Sequence, residues 1–246
     1  MKINNKKEKV YTSSAGAATL DKSSSYRLPF AVVEAYKTIR TNLQFVLAGS
    51  DKKQIVVSSP LMEEGKSTTA INMAIAFSQL GCKVLLIDAD LRRPSVHKKL
   101  KIQNTDGLSS VLVGLCPLEK AVESINANLD VLTSGPLPPN PSELLGSENM
   151  SVLLQALEQQ YDYVFIDTPP INIVSDALAL APKTNGVILV VRDRMTTHEE
   201  MKKALNYIEF AKTRLIGTIL NGTSDTQAKK YRRRYSKKYS YRYAYK

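Results

Sequence analysis

Short apolar runs alternate along the chain with longer stretches in which apolar residues recur every three or four positions, and Gly, Pro, Asp and Asn punctuate the two. Gln54-Ile55-Val56-Val57, Lys83 to Ile87, Leu129 to Leu132, Val164-Phe165-Ile166, Gly186 to Val191 and Leu215 to Leu220 are of the first kind. Continuous apolarity over such short lengths suits strands covered on both faces. Residues 31–46 are of the second kind: Val32, Val33, Tyr36, Ile39, Leu43 and Val46 describe one side of a helix that ends before Gly49. Ser67 to Leu80 is apolar nearly all round, which predicts a buried helix with Gly81 at its C-terminal cap. Thr197 to Ala211 reads as an amphipathic helix, and shorter helical pieces are predicted at Leu108 to Val113, Leu118 to Ser124 and around Val152 to Leu157. Gly135-Pro136-Leu137-Pro138-Pro139-Asn140-Pro141 is too rich in proline for a helix or central strand and predicts a rigid surface connection. The alternation of strand and helix predicts an α/β fold, a mostly parallel central sheet with helices on both faces.

Three of the apolar runs end in candidate chemistry. The first leads into Ser58-Ser59-Pro60-Leu61-Met62-Glu63-Glu64-Gly65-Lys66-Ser67-Thr68, a tight loop between a strand and a helix. Backbone N–H groups around Gly65 and the start of the helix would point at one place, which favours an anion. Lys66 would add a point charge for phosphates, and the Ser67 hydroxyl can ligate the magnesium that accompanies them. Pro60 occupies the first glycine position of the G-x-x-x-x-G-K-[ST] pattern, so this stretch alone also fits a helix cap with a chance Gly-Lys-Ser. Two further runs end in carboxylates, at Asp88-Ala89-Asp90-Leu91-Arg92 and at Asp167-Thr168-Pro169-Pro170. Residues just past parallel strands lie on the ligand-binding edge of such a sheet, which would bring these carboxylates to the loop. A lysine, a hydroxyl and carboxylates on one edge are what Mg·ATP chemistry requires, with either water or a tyrosine hydroxyl as acceptor.

The net charge of +11 is confined to the ends. Residues 228–246 hold nine Lys or Arg and no acid, and residues 1–26 hold five Lys against Glu8 and Asp21, which leaves 20 basic and 21 acidic residues in between. We therefore expect a flexible arm over 1–26, one globular domain over 27–227 and a disordered, basic, tyrosine-rich tail over 228–246. No apolar run approaches the ~20 residues of a membrane span, and no secretory signal is evident, which predicts a cytoplasmic protein. Cys82 and Cys116 read as reduced packing residues, His97 and His198 as surface residues. Glu34, Lys37 and Arg40, three apart, read by spacing as one polar face of the first helix.

Taken together, these residues resemble the bacterial tyrosine kinases that control capsule and exopolysaccharide synthesis. Gly65-Lys66-Ser67-Thr68, Ile87-Asp88-Ala89-Asp90-Leu91-Arg92 and Ile166-Asp167-Thr168-Pro169-Pro170 look like that family's Walker A, A′ and B motifs. Asn140-Pro141-Ser142-Glu143-Leu144-Leu145 is similar to another shared stretch. The resemblance implies a P-loop NTPase-like fold and an ATP- and Mg²⁺-dependent protein-tyrosine autokinase. It implies that Gly65, Lys66, Ser67 and Thr68 hold the phosphates and that Ser67, Asp88, Asp90 and Asp167 serve the metal. Asp88 or Asp90 would also serve the acceptor hydroxyl, and Asn221 the adenine. Tyr231, Tyr235, Tyr239, Tyr241, Tyr243 and Tyr245 would be autophosphorylation sites, and Glu34, Lys37 and Arg40 a homo-oligomer interface that closes a ring. A separate membrane activator of the polysaccharide-export machinery and a cognate tyrosine phosphatase are the implied partners, with recruitment to the inner face of the cell membrane and no nucleic acid.

The sequence departs from the family at Met62-Glu63, where Pro-Gly is common, and at Lys37, where the interface motif has arginine. Two other readings remain open at this point. One is a partition or cell-division ATPase, whose signature lysine would fall at Leu61. The other is a nucleic-acid-binding protein that uses the basic, tyrosine-rich tail.

Overall fold

The computed structural model describes residues 28–50 and 53–223. The expected arm and tail, with all six tail tyrosines, lie outside the described residues. Helix α1 (Phe30–Val46) leads into β1 (Gln54–Ser58), α2 (Lys66–Ser78) and β2 (Val84–Asp88). Three short helices follow, α3 (Val96–Leu100), α4 (Leu108–Leu112) and α5 (Leu118–Ala121), then β3 (Val122–Asn126) and β4 (Leu129–Leu132). The chain continues through α6 (Pro141–Gly146), α7 (Glu148–Glu158), β5 (Tyr163–Asp167) and α8 (Asp176–Leu180). It closes with β6 (Gly186–Arg192), α9 (His198–Phe210) and β7 (Leu215–Asn221).

The strands form one seven-stranded sheet in the order β3-β4-β2-β5-β1-β6-β7, parallel throughout except for β3 against β4. Because side chains alternate along a strand, each central strand feeds both faces. Val56, Leu85, Ile87, Val164, Ile166, Val187 and Leu189 pack with α4 to α9. Ile55, Val57, Val84, Leu86, Phe165, Ile188 and Val190 pack with α1 and α2 on the other face, where Phe77 lies 4.4 Å from Tyr163 and 5.3 Å from Phe165, ring centroid to centroid. The continuous apolar runs of β1, β2, β5 and the first five residues of β6 are thus doubly covered, as their lack of alternation predicts, whereas the equally apolar β7 is an edge strand with no fully buried residue.

Several expectations change. The piece from Leu118 is helical only to Ala121; from Val122 the chain is an edge strand antiparallel to β4, and of its five residues only Ile125 is buried. An edge strand with one buried residue carries almost no hydrophobic pattern. The proline-rich connection ends in a helix, since Pro141 is the first residue of α6, where a missing N–H costs nothing. His97 is half-buried with Nδ1 enclosed and without a hydrogen-bond partner, and burial, then Lys98, lowers its pKa; it is not the surface residue expected. His198 is exposed, and both cysteines are free. No helix among the described residues is long and apolar enough to cross a membrane.

Candidate active site

Strand register assembles the site. Asp88 ends β2 directly beside Asp167, which ends β5, and Val57 of β1 lies on the other side of Asp167. The loop from Ser59 to Gly65 therefore starts over both carboxylates. At Gly65 the chain turns with φ 93°, a conformation that favours glycine, and a Cβ there, 2.1 Å from Asn221 Nδ2, would displace the Asn221 carboxamide. Helix α2 starts at Lys66 with no side-chain cap, which leaves its first N–H groups directed at the loop. Ser67 is buried in that first turn, and Thr68 follows it, half-buried.

Lys66 Nζ lies 2.8 Å from Asp90 Oδ2, 3.5 Å from Asp167 Oδ1 and 3.3 Å from Ser67 Oγ. Burial works against its charge, but Asp167 and Asp90 together hold its pKa above the usual value. Asp90 Oδ1 accepts the Arg93 N–H at 3.0 Å. Asp88 is turned inward: Oδ1 accepts from Asp90 N, and Oδ2 from Ser95 N and Val96 N. Burial, followed by the neighbouring Asp167 charge, pushes its pKa up to about 7. Asp167 is fully buried, and burial raises its pKa against the pull of Lys66. Its Oδ1 has the 3.5 Å ion pair with Lys66, and neither oxygen is held by a backbone N–H as those of Asp88 are.

The four oxygen donors expected to hold a metal thus divide. Asp88 and Asp90 are engaged by backbone N–H groups and Lys66, and among the described residues no three His, Cys, Asp or Glu side chains converge on a metal position. The carboxylate of Asp167, which no backbone N–H engages, and the hydroxyl of Ser67 fit Mg²⁺, a hard cation that keeps most of its shell as water and phosphate oxygen.

The phosphate loop is braced from outside by residues the sequence does not announce. Glu64 is fully buried, which raises its pKa against the opposing Leu61 bond; its carboxylate accepts from Leu61 N at 2.8 Å and from the Thr196 hydroxyl. Arg192 Nη1 donates to the Glu63 carbonyl at 2.8 Å. Asn221 Nδ2 donates to the Glu64 carbonyl at 2.9 Å while its Oδ1 accepts from Gly222 N, so its carboxamide supports the loop. A charged residue before Gly65 is the only trace of this in the sequence; its partner lies more than a hundred residues away.

Glu34, Lys37 and Arg40 do not share one open face. Glu34 and Lys37 pair at 2.7 Å, each about half-exposed, whereas Arg40 Nη1 donates to the Ala76 carbonyl at 2.6 Å. Each three-residue step turns back about 60° around a helix, so two steps carry Arg40 to the flank of α1 that packs on α2. There it caps the C-terminal, negative end of α2.

The chain matches the AAA domain family over residues 52–220. It is 45% identical over 199 residues to Tyrosine-protein kinase YwqD of Bacillus subtilis, covering 80% of this chain and 84% of that one. It is 35% identical over 191 residues to the putative tyrosine-protein kinase CapB of Staphylococcus aureus, covering 77% and 84%. Among solved structures it superposes on the kinase domain of Escherichia coli tyrosine kinase ETK with a TM-score of 0.75 at 35% identity, covering 78% of this chain and 75% of that domain. With a phosphate loop on β1, carboxylates at the ends of β2 and β5, and these relatives over most of its length, the chain belongs to the bacterial tyrosine kinases.

Proposed function

We propose that this kinase transfers the γ-phosphoryl group of ATP to tyrosine hydroxyls, those of its own C-terminal cluster first among them. The observation that carries this reading is the Lys66 ammonium held between Asp90 and Asp167 beneath an uncapped helix N-terminus. Lys66 and the N–H groups around Gly65, Ser67 and Thr68 receive the phosphates, and Lys66 exchanges its carboxylate partners for phosphate oxygens when they arrive. Ser67 and Asp167 would hold Mg²⁺, which supplies further neutralisation of phosphate charge. Asp88 and Asp90 serve the phenol. A carboxyl near pKa 7 is a better match to neutral pH than an ordinary aspartate, and in a loose transition state orientation of the hydroxyl counts for more than early proton removal.

Residues 27–227 act in this reading as the kinase domain and 228–246 as its substrate tail. Tyr231, Tyr235, Tyr239, Tyr241, Tyr243 and Tyr245 are the acceptors, delivered between subunits of a homo-oligomer. The relatives named for capsule synthesis support a role in capsule or exopolysaccharide production, with a membrane protein as activator, a phosphatase as antagonist and the inner membrane face as place of action. The test is incubation of the purified chain with Mg·ATP, with and without candidate activator segments, followed by phosphosite mapping by mass spectrometry. Phosphate on the tail tyrosines is expected; ATP turnover with unmodified tyrosines in both conditions would overturn the proposal.

A further inference from the structure

Three stretches that are remote in sequence meet at one buried carboxylate beside the site. Asp176, the first residue of α8, is fully buried. Arg92 reaches it with two parallel bonds, Nε to Oδ2 at 2.9 Å and Nη2 to Oδ1 at 3.0 Å. Ser142 of α6 donates its hydroxyl to the same Oδ1, and stands 3.4 Å from Arg92 Nη2 and 3.2 Å from Ser175 Oγ. Arg92 belongs to the Asp88-x-Asp90-x-Arg92 motif, Ser142 to Asn140-Pro141-Ser142-Glu143-Leu144-Leu145, and Asp176 to the segment after the Asp167 motif.

The segment 89–95 needs such an anchor. Its inner side is pinned by Asp88 and Asp90 themselves, through bonds to the N–H groups of residues 90, 93, 95 and 96. Those bonds, with the Ala89 N–H to the Asp167 carbonyl at 2.8 Å, set the turn from its buried inner side, and on its outer side Arg92 makes the two-point contact that ties it to α8. A planar guanidinium held at two points by a carboxylate that cannot itself move restricts both distance and angle. Ser142 adds α6 to the same carboxylate, so nucleotide-side and α6–α8-side elements are fixed to one another through one group.

We infer that Arg92, Asp176 and Ser142 form a latch that positions Asp90 and Asp88 for phosphoryl transfer, and that all three are positioning residues of the kinase reaction. The inference rests on the activity proposed above. The latch does not touch the phosphate loop, so loosening it lowers turnover and spares nucleotide affinity.

Arg92→Lys keeps the charge and loses the two-point contact; Ser142→Ala removes one donor with little change in volume. Each is expected to lower kcat for tail phosphorylation about tenfold or more, with KM for ATP and the affinity for Mg·ADP within twofold of the parent. The double variant should lose less than the product of the two single losses, because both act through Asp176. Unchanged kcat, or nucleotide affinity falling in step with kcat, would overturn the inference. Amide exchange of residues 89–96, read by mass spectrometry, decides the matter even for a chain that transfers no phosphate. Faster exchange in Arg92→Lys supports the latch, and exchange identical to the parent refutes it.

Discussion

At the scale of single residues the site is a compromise among charges that burial would otherwise neutralise. Asp88 and Asp167 end neighbouring strands and are both fully buried, and the adjacent Lys66 ammonium is what makes that tolerable. The raised pKa of Asp88 has a defined sign for stability. A carboxyl that binds its proton more tightly when folded contributes stability below pH ~4, which is lost as pH rises through about 7. The contribution is on the order of a few kcal/mol between those limits. In the absence of nucleotide, the melting temperature of Asp88→Asn relative to the parent should therefore climb from pH 5 to pH 8. A difference that stays constant over that range would show that Asp88 titrates normally. Asp88, Asp90 and Asp167 were legible because they lie at or just past the end of a readable apolar run, and Lys66 because it follows glycine in the tight loop between a strand and a helix. Glu64, Ser142 and Asp176 were not legible as a group, since the contacts that define them span 34 to 132 positions and leave no periodic trace.

Among the elements, the apolar runs, the longer helices and the short α4 were readable, whereas α3, α6 and β3 were not. β1, β2, β4, β5, β6 and β7 lie where continuous apolar runs put them, α1 and α9 where amphipathic spacing does, and α2 where all-round apolarity does. α3 and α6, five and six residues long, and the edge strand β3 are fixed by tertiary pairing that no local pattern records. The phosphate loop is the instructive element, because its departure from the family carries strain. Glu63 stands at φ 61°, in the left-handed region where side chains other than glycine's are strained, and its own side chain is exposed. Only its carbonyl is used, by Arg192. Glu63→Gly should relieve the strain and keep that bond, raising stability by about 0.5–1 kcal/mol after the added freedom of the unfolded chain is counted. A higher denaturation midpoint with an unchanged m-value is the expected result; a lower midpoint would mean that the Glu63 side chain makes a contribution of its own.

For the whole molecule, the proposed homo-oligomer would combine a nearly neutral body with a strongly basic tail. The tail carries nine basic residues, and six phosphotyrosines would add roughly −9 to −12, enough to erase or invert its sign. A cationic tail can dock on acidic neighbours or an anionic membrane, so phosphorylation should release it. On the α1 side, Glu34 and Lys37 form the exposed pair while Arg40 is committed to α2. With Mg·ADP present, Lys37→Arg should raise the weight-average mass in light scattering, because a guanidinium can make two-point contacts, and Glu34→Lys should lower it. If neither variant changed the mass, this helix would not be the assembly surface.

The central claim is that Lys66 and its carboxylates move phosphate from ATP to tyrosine, and it is tested most directly by transfer of labelled γ-phosphate into the tail. The parent chain should incorporate label on tyrosines 231–245, and Lys66→Met, with the main cation of the cradle removed, should lose at least a hundredfold in rate while remaining folded. Equal incorporation by Lys66→Met, or label in the parent that never reaches tyrosine, would contradict the account.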